Sequence, residues 1–487
     1  MSKKLTDIIE KGGIFESPQI IEEYSKDNSF SRSIKPTHVL KVNRTEEIQK
    51  IVQWANETRT PLIPVSSGPP HFKGDTVPSV PEAVVVDLSN MNNILGINRQ
   101  HRMVYIEPGV TYGAVQQALA KEGMTLSTCL APRSSKSVMA SVLEIEPRLN
   151  PRHQWSYMDP LRCMGVIWGD GNKMFTGEAG MGPPDLQKQW EVEKRQVSPG
   201  GPGQFDFFRL LTAAQGTMGI VTWASLKCEL LPQVHKLYFV TSKVIDPLIN
   251  MVYRILKLRF ADELLLLSNS YLAYLIGDTK DRIDELKAQL PPWIVLIGIA
   301  GRTMLPQERV AAQEEDISEI AQQFGLHITP SLDGISGMEA LKKIITPSPE
   351  PYWKMRYKGS FEDVFFITTL DKTRIFIDIM EKLSREYGYS AADIGIYIQP
   401  QHAGTSCHCE FNLPYDASNK QEASRLQDFY SIASRELSHS GAFYSRPYGV
   451  WSKIQFNKDA QTTITLKKLK DIFDPNGIMN PGKLCNY

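Results

Sequence analysis

Within residues 45–60, apolar side chains recur at Ile48, Ile51, Val52 and Ala55, the three- and four-residue spacing of one helix face. Thr45 stands where an N-cap is expected. On either side the pattern shortens to apolar runs, Pro61–Val65, Ala83–Leu88 and Met103–Glu107, which read as strands. Tyr112–Gly123 returns to helical spacing, so strands and helices alternate through the first third. Residues 129–160 are irregular and rich in Ser, Pro and Arg. Gly165–Trp168, the turn Gly169-Asp170-Gly171-Asn172 and Met174–Thr176 then predict a β-hairpin. Residues 183–203 carry Pro, Gly and charge without periodicity, and a loop that long is expected to serve as a lid, an interface or a cofactor cover. Phe205–Gln215 reads as a short helix and Thr222–Leu230 as a strand.

Beyond Pro232 the rhythm changes. Strand Leu237–Val240, helix Ile245–Leu258, strand Leu264–Leu267, helix Asn269–Ile276, strand Trp293–Ala300 and helix Gln307–Phe324 form one cycle. Strand Val364–Thr368, helix Thr373–Tyr387, strands Gly395–Gln399 and Cys407–Leu413, and helix Lys420–Ser438 form a second. Two such modules predict an α+β lobe with antiparallel strands and helices on one face. The tail Leu466–Phe473 is helical and ends at Asp474-Pro475-Asn476-Gly477.

At 487 residues the chain exceeds what one core usually supports, so two lobes are expected. The boundaries fall at residues 1–235, 236–452 and a returning tail, 453–487. Lys plus Arg and Asp plus Glu total 54 each, which leaves no global electrostatic case for nucleic acid. No apolar run is long and uncharged enough to span a membrane, and no secretion signal opens the chain. Six scattered cysteines point to a reduced, cytoplasmic protein. Cys407-His408-Cys409 is too tightly spaced for a zinc knuckle, and no metal is expected.

Two turns have the chemistry of a phosphate cradle. Ser66, Ser67 and Gly68 combine hydroxyls with slender backbone, and Gly216 and Gly219 permit close approach and unusual φ. These turns lie in an ordered set of segments. Pro36-Thr37-His38-Val39-Leu40 with Thr45-Glu46-Glu47-Ile48, Pro64 to Gly74, Val84 to Ser89 with Val104 to Gly109, Gln215-Gly216-Thr217-Met218-Gly219-Ile220-Val221-Thr222, and Phe473 to Lys483 follow one another across the chain. Together they resemble the FAD-linked oxidases of the vanillyl-alcohol oxidase and p-cresol methylhydroxylase superfamily. The resemblance implies an α+β architecture: a two-subdomain FAD-binding domain of the p-cresol methylhydroxylase type, then an α+β cap, or substrate, domain with an antiparallel sheet.

It also implies FAD as cofactor, held without a covalent bond, although His71 lies one position from where some relatives attach it. The residues expected to hold it are Ser66, Ser67, Gly68, Pro69, His71, Pro132, Ser135, Ser137, Ser141, Gly216, Thr217, Gly219, Ile220, Val221 and Asn480. The chain departs from the family in two places. Pro69 and Pro70 remove N–H donors from the first loop, and residues 134–144 contain no glycine where the family has Gly-Gly-Asn. Serine hydroxyls and Lys136 or Arg133 are expected to replace the lost donors.

In the cap, the 2-hydroxy-acid branch carries two metal-binding histidines seven apart. Here His402 and His408 are six apart, without the intervening Asp and Asn. The phenol-oxidising branch has a Tyr-Arg pair, resembled here by Tyr444 and Arg446 with Tyr448 beyond. The expected catalytic set is Arg446, Tyr444, His402, His408 and Tyr397. An arginine or tyrosine would stabilise charge developing on a phenolate or on the flavin, and a histidine would accept a hydroxyl proton. The implied activity is hydride transfer from an alcohol, a 2-hydroxy acid or a phenolic C–H carbon to flavin. Electrons would then pass to an external acceptor, a partner protein among the candidates, in a homo- or hetero-oligomer. The alternative is a non-catalytic, flavin-poor subunit of a larger flavoenzyme, motivated by the eroded loops.

Overall fold

The computed structural model describes residues 5–9, 11–149, 159–204 and 206–485. Residues 150–158 of the stretch expected to be irregular, and Phe205 at the start of a predicted helix, lie outside the described residues.

A four-stranded sheet opens the fold. Ile14–Phe15 pairs antiparallel with His38–Lys41, which runs parallel to Val84–Asp87, itself parallel to Leu62–Val65. Helix Thr45–Thr58 makes the crossover and buries Ile48, Ile51, Val52 and Ala55, the face its spacing predicts. Thr45 is its first helical residue and makes no side-chain cap. Glu47 closes the helix start by accepting the Asn43 N–H, one residue before the N-cap Arg44, at 2.8 Å. A five-stranded antiparallel sheet follows, ordered Ile94–Asn98, Met103–Ile106, Gly219–Lys227, Leu161–Trp168, Lys173–Phe175.

Residues 183–203 do not cover the cleft described below. Helix Leu186–Glu191 lays Trp190 edge-on against Tyr105, ring centroids 5.3 Å apart, and buried Gln189 and Gln196 bond to each other. The segment therefore caps the five-stranded sheet rather than a ligand. The predicted helix Phe205–Gln215 shortens to a single 3₁₀ turn, Phe207–Leu210.

The second lobe holds a seven-stranded antiparallel sheet ordered Ile328–Thr329, Val234–Ser242, Trp293–Gly301, Glu263–Ser268, Gly395–Gln401, Ser406–Tyr415, Ser360–Thr368. Its helices cover both faces, not one. Leu264 and Leu266 pack with helices Asp246–Lys257, Pro306–Gln323, Thr373–Glu386 and Lys420–His439, while Leu265 and Leu267 pack with Asn269–Ile276, Lys280–Gln289 and Gly337–Ile345. A strand that is apolar at every position needs cover on both sides. The second set of helices covers only part of its face. At strand Ser406–Tyr415, Cys407, Cys409 and Phe411 enter the helix-covered core and the alternate residues His408 and Glu410 turn the other way.

The tail, helix Ala460–Phe473 and the residues after it, returns to the first sheet, where Leu62 N–H donates to Ile478 O and Leu62 O accepts from Asn480 N–H, both at 2.8 Å. Among the described residues no helix is long and apolar enough to cross a membrane.

Candidate functional site: a cleft between the lobes

The parallel strands Leu62–Val65 and Val84–Asp87 end at a cleft enclosing about 1720 Å³ of non-atom space, counted out through its mouth. The C-terminal segment fixes its first wall. Lys470 Nζ, almost fully buried, donates to Thr217 O at 2.6 Å and to Asp474 Oδ2 at 2.6 Å, and Asp474 accepts the N–H groups of Ile478 and Met479. Asn480 Nδ2 then donates to Asp75 O at 2.9 Å and Gln215 O at 2.7 Å, clipping two loops together. Gly216 sits between them at φ +69°, and a Cβ there would lie 2.5 Å from Pro64 Cγ.

Of the residues expected to hold a cofactor, Ser66, Ser67, His71, Pro132, Gly216, Gly219, Ile220 and Val221 line this cleft. The others lie behind it. Ser135 bonds Glu350 at 2.7 Å, Ser137 donates to Pro108 O at 2.6 Å, Ser141 donates to Glu146 at 2.5 Å, and Thr217 donates to Ala214 O at 2.7 Å. Gly68 and Pro69 are absent from the lining and Asn480 acts as the clip. Serine was expected to meet phosphate directly; in the second loop its hydroxyls instead complete the protein's own hydrogen bonds. His71 Nε2 faces Ser67 O at 2.9 Å, and burial holds the ring's pKa below its ordinary value.

The residues present fit a dinucleotide. The backbone N–H groups of Ser66, Ser67 and Gly68 take no acceptor among the described residues, and Thr76 Oγ1, buried in the lining, has no partner there either. Apolar Pro64, Leu88, Met139, Leu143, Met218 and Ile220 supply walls for flat rings. The first-lobe wall also carries a buried square of charge. Lys73 lies 3.0 Å from Glu144 and 3.4 Å from Glu146; Lys136 lies 3.1 and 2.9 Å from the same two. Burial works against the Glu146 carboxylate, but the two lysines outweigh it and hold Glu146 well below the usual carboxylate range.

The cap's wall is aromatic. Tyr271, Tyr352, Phe361, Phe365, Tyr397 and Tyr448 line it. Tyr271 and Tyr397 stack at 5.3 Å, and the Tyr397 hydroxyl donates to Gln399. Arg446 is 4% exposed, with its guanidinium carbon 4.1 Å from the Phe365 ring centroid. The guanidinium makes no hydrogen bond or ion pair among the described residues. Among the rings, and also lining the cleft, Lys354 Nζ bridges Glu410 at 2.6 Å and Asp363 at 2.7 Å, and Tyr271 donates to the same Glu410 oxygen at 2.9 Å. Burial disfavours that carboxylate, yet Lys354 and His408 hold its pKa far below the ordinary range.

The expected catalytic set divides. Arg446 and Tyr397 line the cleft. His408 sits one layer behind, its Nε2 3.3 Å from Glu410 and its ring edge-on to Tyr397. Tyr444 does not reach the cleft: its hydroxyl donates to Ser434 O at 2.8 Å and its ring stacks on Trp451 at 4.7 Å. Tyr448, four residues on, lines the cleft. His402 also stays away, in a turn where Nδ1 meets Ser406 Oγ at 3.1 Å. Lys354, Lys73 and the Glu144–Glu146 pair escaped the sequence reading. Their roles arise from pairings up to 73 residues apart, which no local pattern encodes.

The family model for an FAD binding domain matches residues 36–144, and that for the C-terminal domain of FAD linked oxidases matches residues 368–484. D-2-hydroxyglutarate dehydrogenase of Stutzerimonas stutzeri (strain A1501) is 21% identical over 495 residues, covering 99% of this chain and 98% of its own. A crystal structure of p-cresol methylhydroxylase with substrate bound superposes with a TM-score of 0.83 at 16% identity, covering 99% of this chain and 95% of its own. The 4-ethylphenol oxidase from Gulosibacter chungangensis, in complex with isoeugenol, gives 0.83 at 17% identity, covering 99% and 96%.

Proposed function

We infer, from the premise that this chain belongs to the FAD-linked oxidases of the p-cresol methylhydroxylase and vanillyl-alcohol oxidase type, that it oxidises an aromatic substrate whose head group is a single anion, a phenolate first of all. That it is an FAD-dependent oxidoreductase follows from the family; the substrate is our own reading. Bound FAD would supply the hydride acceptor. The chain's own residues supply the rest.

One observation carries the reading: Arg446, buried, unpaired and set against a wall of rings. A buried cation with no bonded counter-ion costs free energy, and a fold keeps one where an anion is to be met. The rings of Phe365, Tyr397 and Tyr448 would flank an aromatic body and keep water from it. Lys354, Tyr271 and His408 hold Glu410 in place as a carboxylate next to that space, and through Tyr271 it fixes the ring wall. The His71 contact with Ser67 favours a flavin bound without a covalent link. Among the described residues no three His, Cys, Asp or Glu side chains group as metal ligands would. Electrons would then leave to an external acceptor.

The second reading, a 2-hydroxy acid with its carboxylate on Arg446, draws on the activity named for the Stutzerimonas relative. Anaerobic mixing of the flavin-loaded protein with 4-alkylphenols, aryl alcohols and aliphatic 2-hydroxy acids, followed by loss of flavin absorbance, separates the two. Fastest bleaching by a 4-alkylphenol is expected. Bleaching by aliphatic hydroxy acids alone would overturn the aromatic assignment.

A further inference from the structure

The second loop offers the cofactor little backbone. Ser134 N–H is taken by Ser348 O, Lys136 N–H by Arg133 O, Ser137 N–H by Ser67 Oγ and Val138 N–H by Val110 O. The first loop has lost two more donors to Pro69 and Pro70. The N–H groups of Ser66 and Ser67, both in the lining, belong to the first loop alone. A diphosphate dianion enclosed by protein needs donors or cations on its other side too.

Five Lys and Arg side chains line the cleft: Lys73, Arg133, Lys136, Lys354 and Arg446. Lys354 is locked between two cap carboxylates, and Arg446 lies in the aromatic wall. Arg133 lies on Phe72, 5.1 Å from its ring centroid, and reaches Glu350 at 3.4 Å. Lys73 and Lys136 remain, one on each loop, and both are held by the same two carboxylates. Of the two carboxylates, Glu146 has further partners. Ser141 Oγ donates to Glu146 at 2.5 Å and Cys129 Sγ approaches it at 3.4 Å. Glu146 can therefore lose an ammonium contact without being left bare.

We propose that Lys73 and Lys136 hold the diphosphate of the bound dinucleotide in place of the missing backbone donors, exchanging Glu144 and Glu146 for phosphate oxygens as it enters. The two glutamates place the ammonium groups at the wall and compete with the diphosphate for them. This rests on the family's cofactor and not on the substrate reading, so either can fail alone.

The test titrates full-length protein, stripped of flavin, with FAD and with riboflavin, which lacks phosphate, and reads flavin fluorescence. Lys136→Met and Lys73→Met are expected to weaken FAD binding about 10- to 100-fold, the weight of a charge-assisted bond, and to leave riboflavin nearly unchanged. Glu146→Gln is expected to tighten FAD binding severalfold. The double variant Lys136→Met/Glu146→Gln removes opposite charges together and so protects folding; it should still lose FAD affinity selectively. Equal effects on FAD and riboflavin, wild-type FAD affinity in the double variant, or selective weakening by Glu146→Gln would each overturn the proposal.

Discussion

Arg446 and Phe365 form a cation–ring pair, with the guanidinium carbon 4.1 Å from the ring centroid and no carboxylate bonded to the cation among the described residues. The ring's negative face compensates part of the charge and leaves the guanidinium's N–H groups for a ligand. Arg446→Ala is expected to slow flavin reduction by the true substrate about 10²- to 10³-fold, the usual cost of removing a positioned donor to developing charge. Rapid-mixing absorbance checks this. Arg446→Lys should recover only part of the rate, because a lysine cannot offer the planar fork.

Lys354 bridges Glu410 and Asp363 inside the cap. Lys354→Met leaves two buried carboxylates facing one another. We expect a loss of about 3–5 kcal/mol in chemical denaturation, the range for breaking a buried pair. Adding Glu410→Gln to Lys354→Met should recover part of it. An unchanged midpoint in the single variant would refute the bridge.

Gly216 is pressed against Pro64 at a positive φ. Gly216→Ala forces that wall outward, because its Cβ would overlap Pro64 Cγ in a conformation L side chains rarely adopt. The variant should weaken FAD retention with a loss of about 1–3 kcal/mol in stability. Flavin released on dilution and a thermal melt measure the two effects.

His235 and Glu263 pair at 2.8 Å within the cap sheet. Burial opposes the charged ring, but the Glu263 carboxylate outweighs it and holds the pKa above the ordinary 6.5. The raised pKa means that the pair stabilises the fold in full below about pH 6.5 and that this contribution is lost as pH rises through the folded value. Melting midpoints of wild type should therefore fall relative to His235→Gln between pH 6 and 9. Parallel curves for the two proteins would show that the pair contributes nothing.

Local pattern carried most of the elements. The face of helix Thr45–Thr58 and the bounds of helix Asn269–Ile276 were legible because helical spacing and end residues act within a few positions. Helix Lys280–Gln289 was missed: it buries only Ile283 and Leu286, too few to show a period. The ordered segments from Pro36 to Lys483 carried the family, since each is a contiguous turn or strand.

The sequence alone thus determined the fold family, the cofactor and one wall of the cleft, because strands, turns and glycine positions are written over short stretches of chain. Tertiary structure decided the rest. It put Tyr444 on Trp451 and Tyr448 in the cleft, tied Ser135, Ser137 and Ser141 into the protein's own hydrogen bonds, and brought Lys73 to Glu144 and Lys354 to Glu410. Charge and ring contacts depend on distance in space, and residues 56 or 71 positions apart meet only once their own lobe has folded.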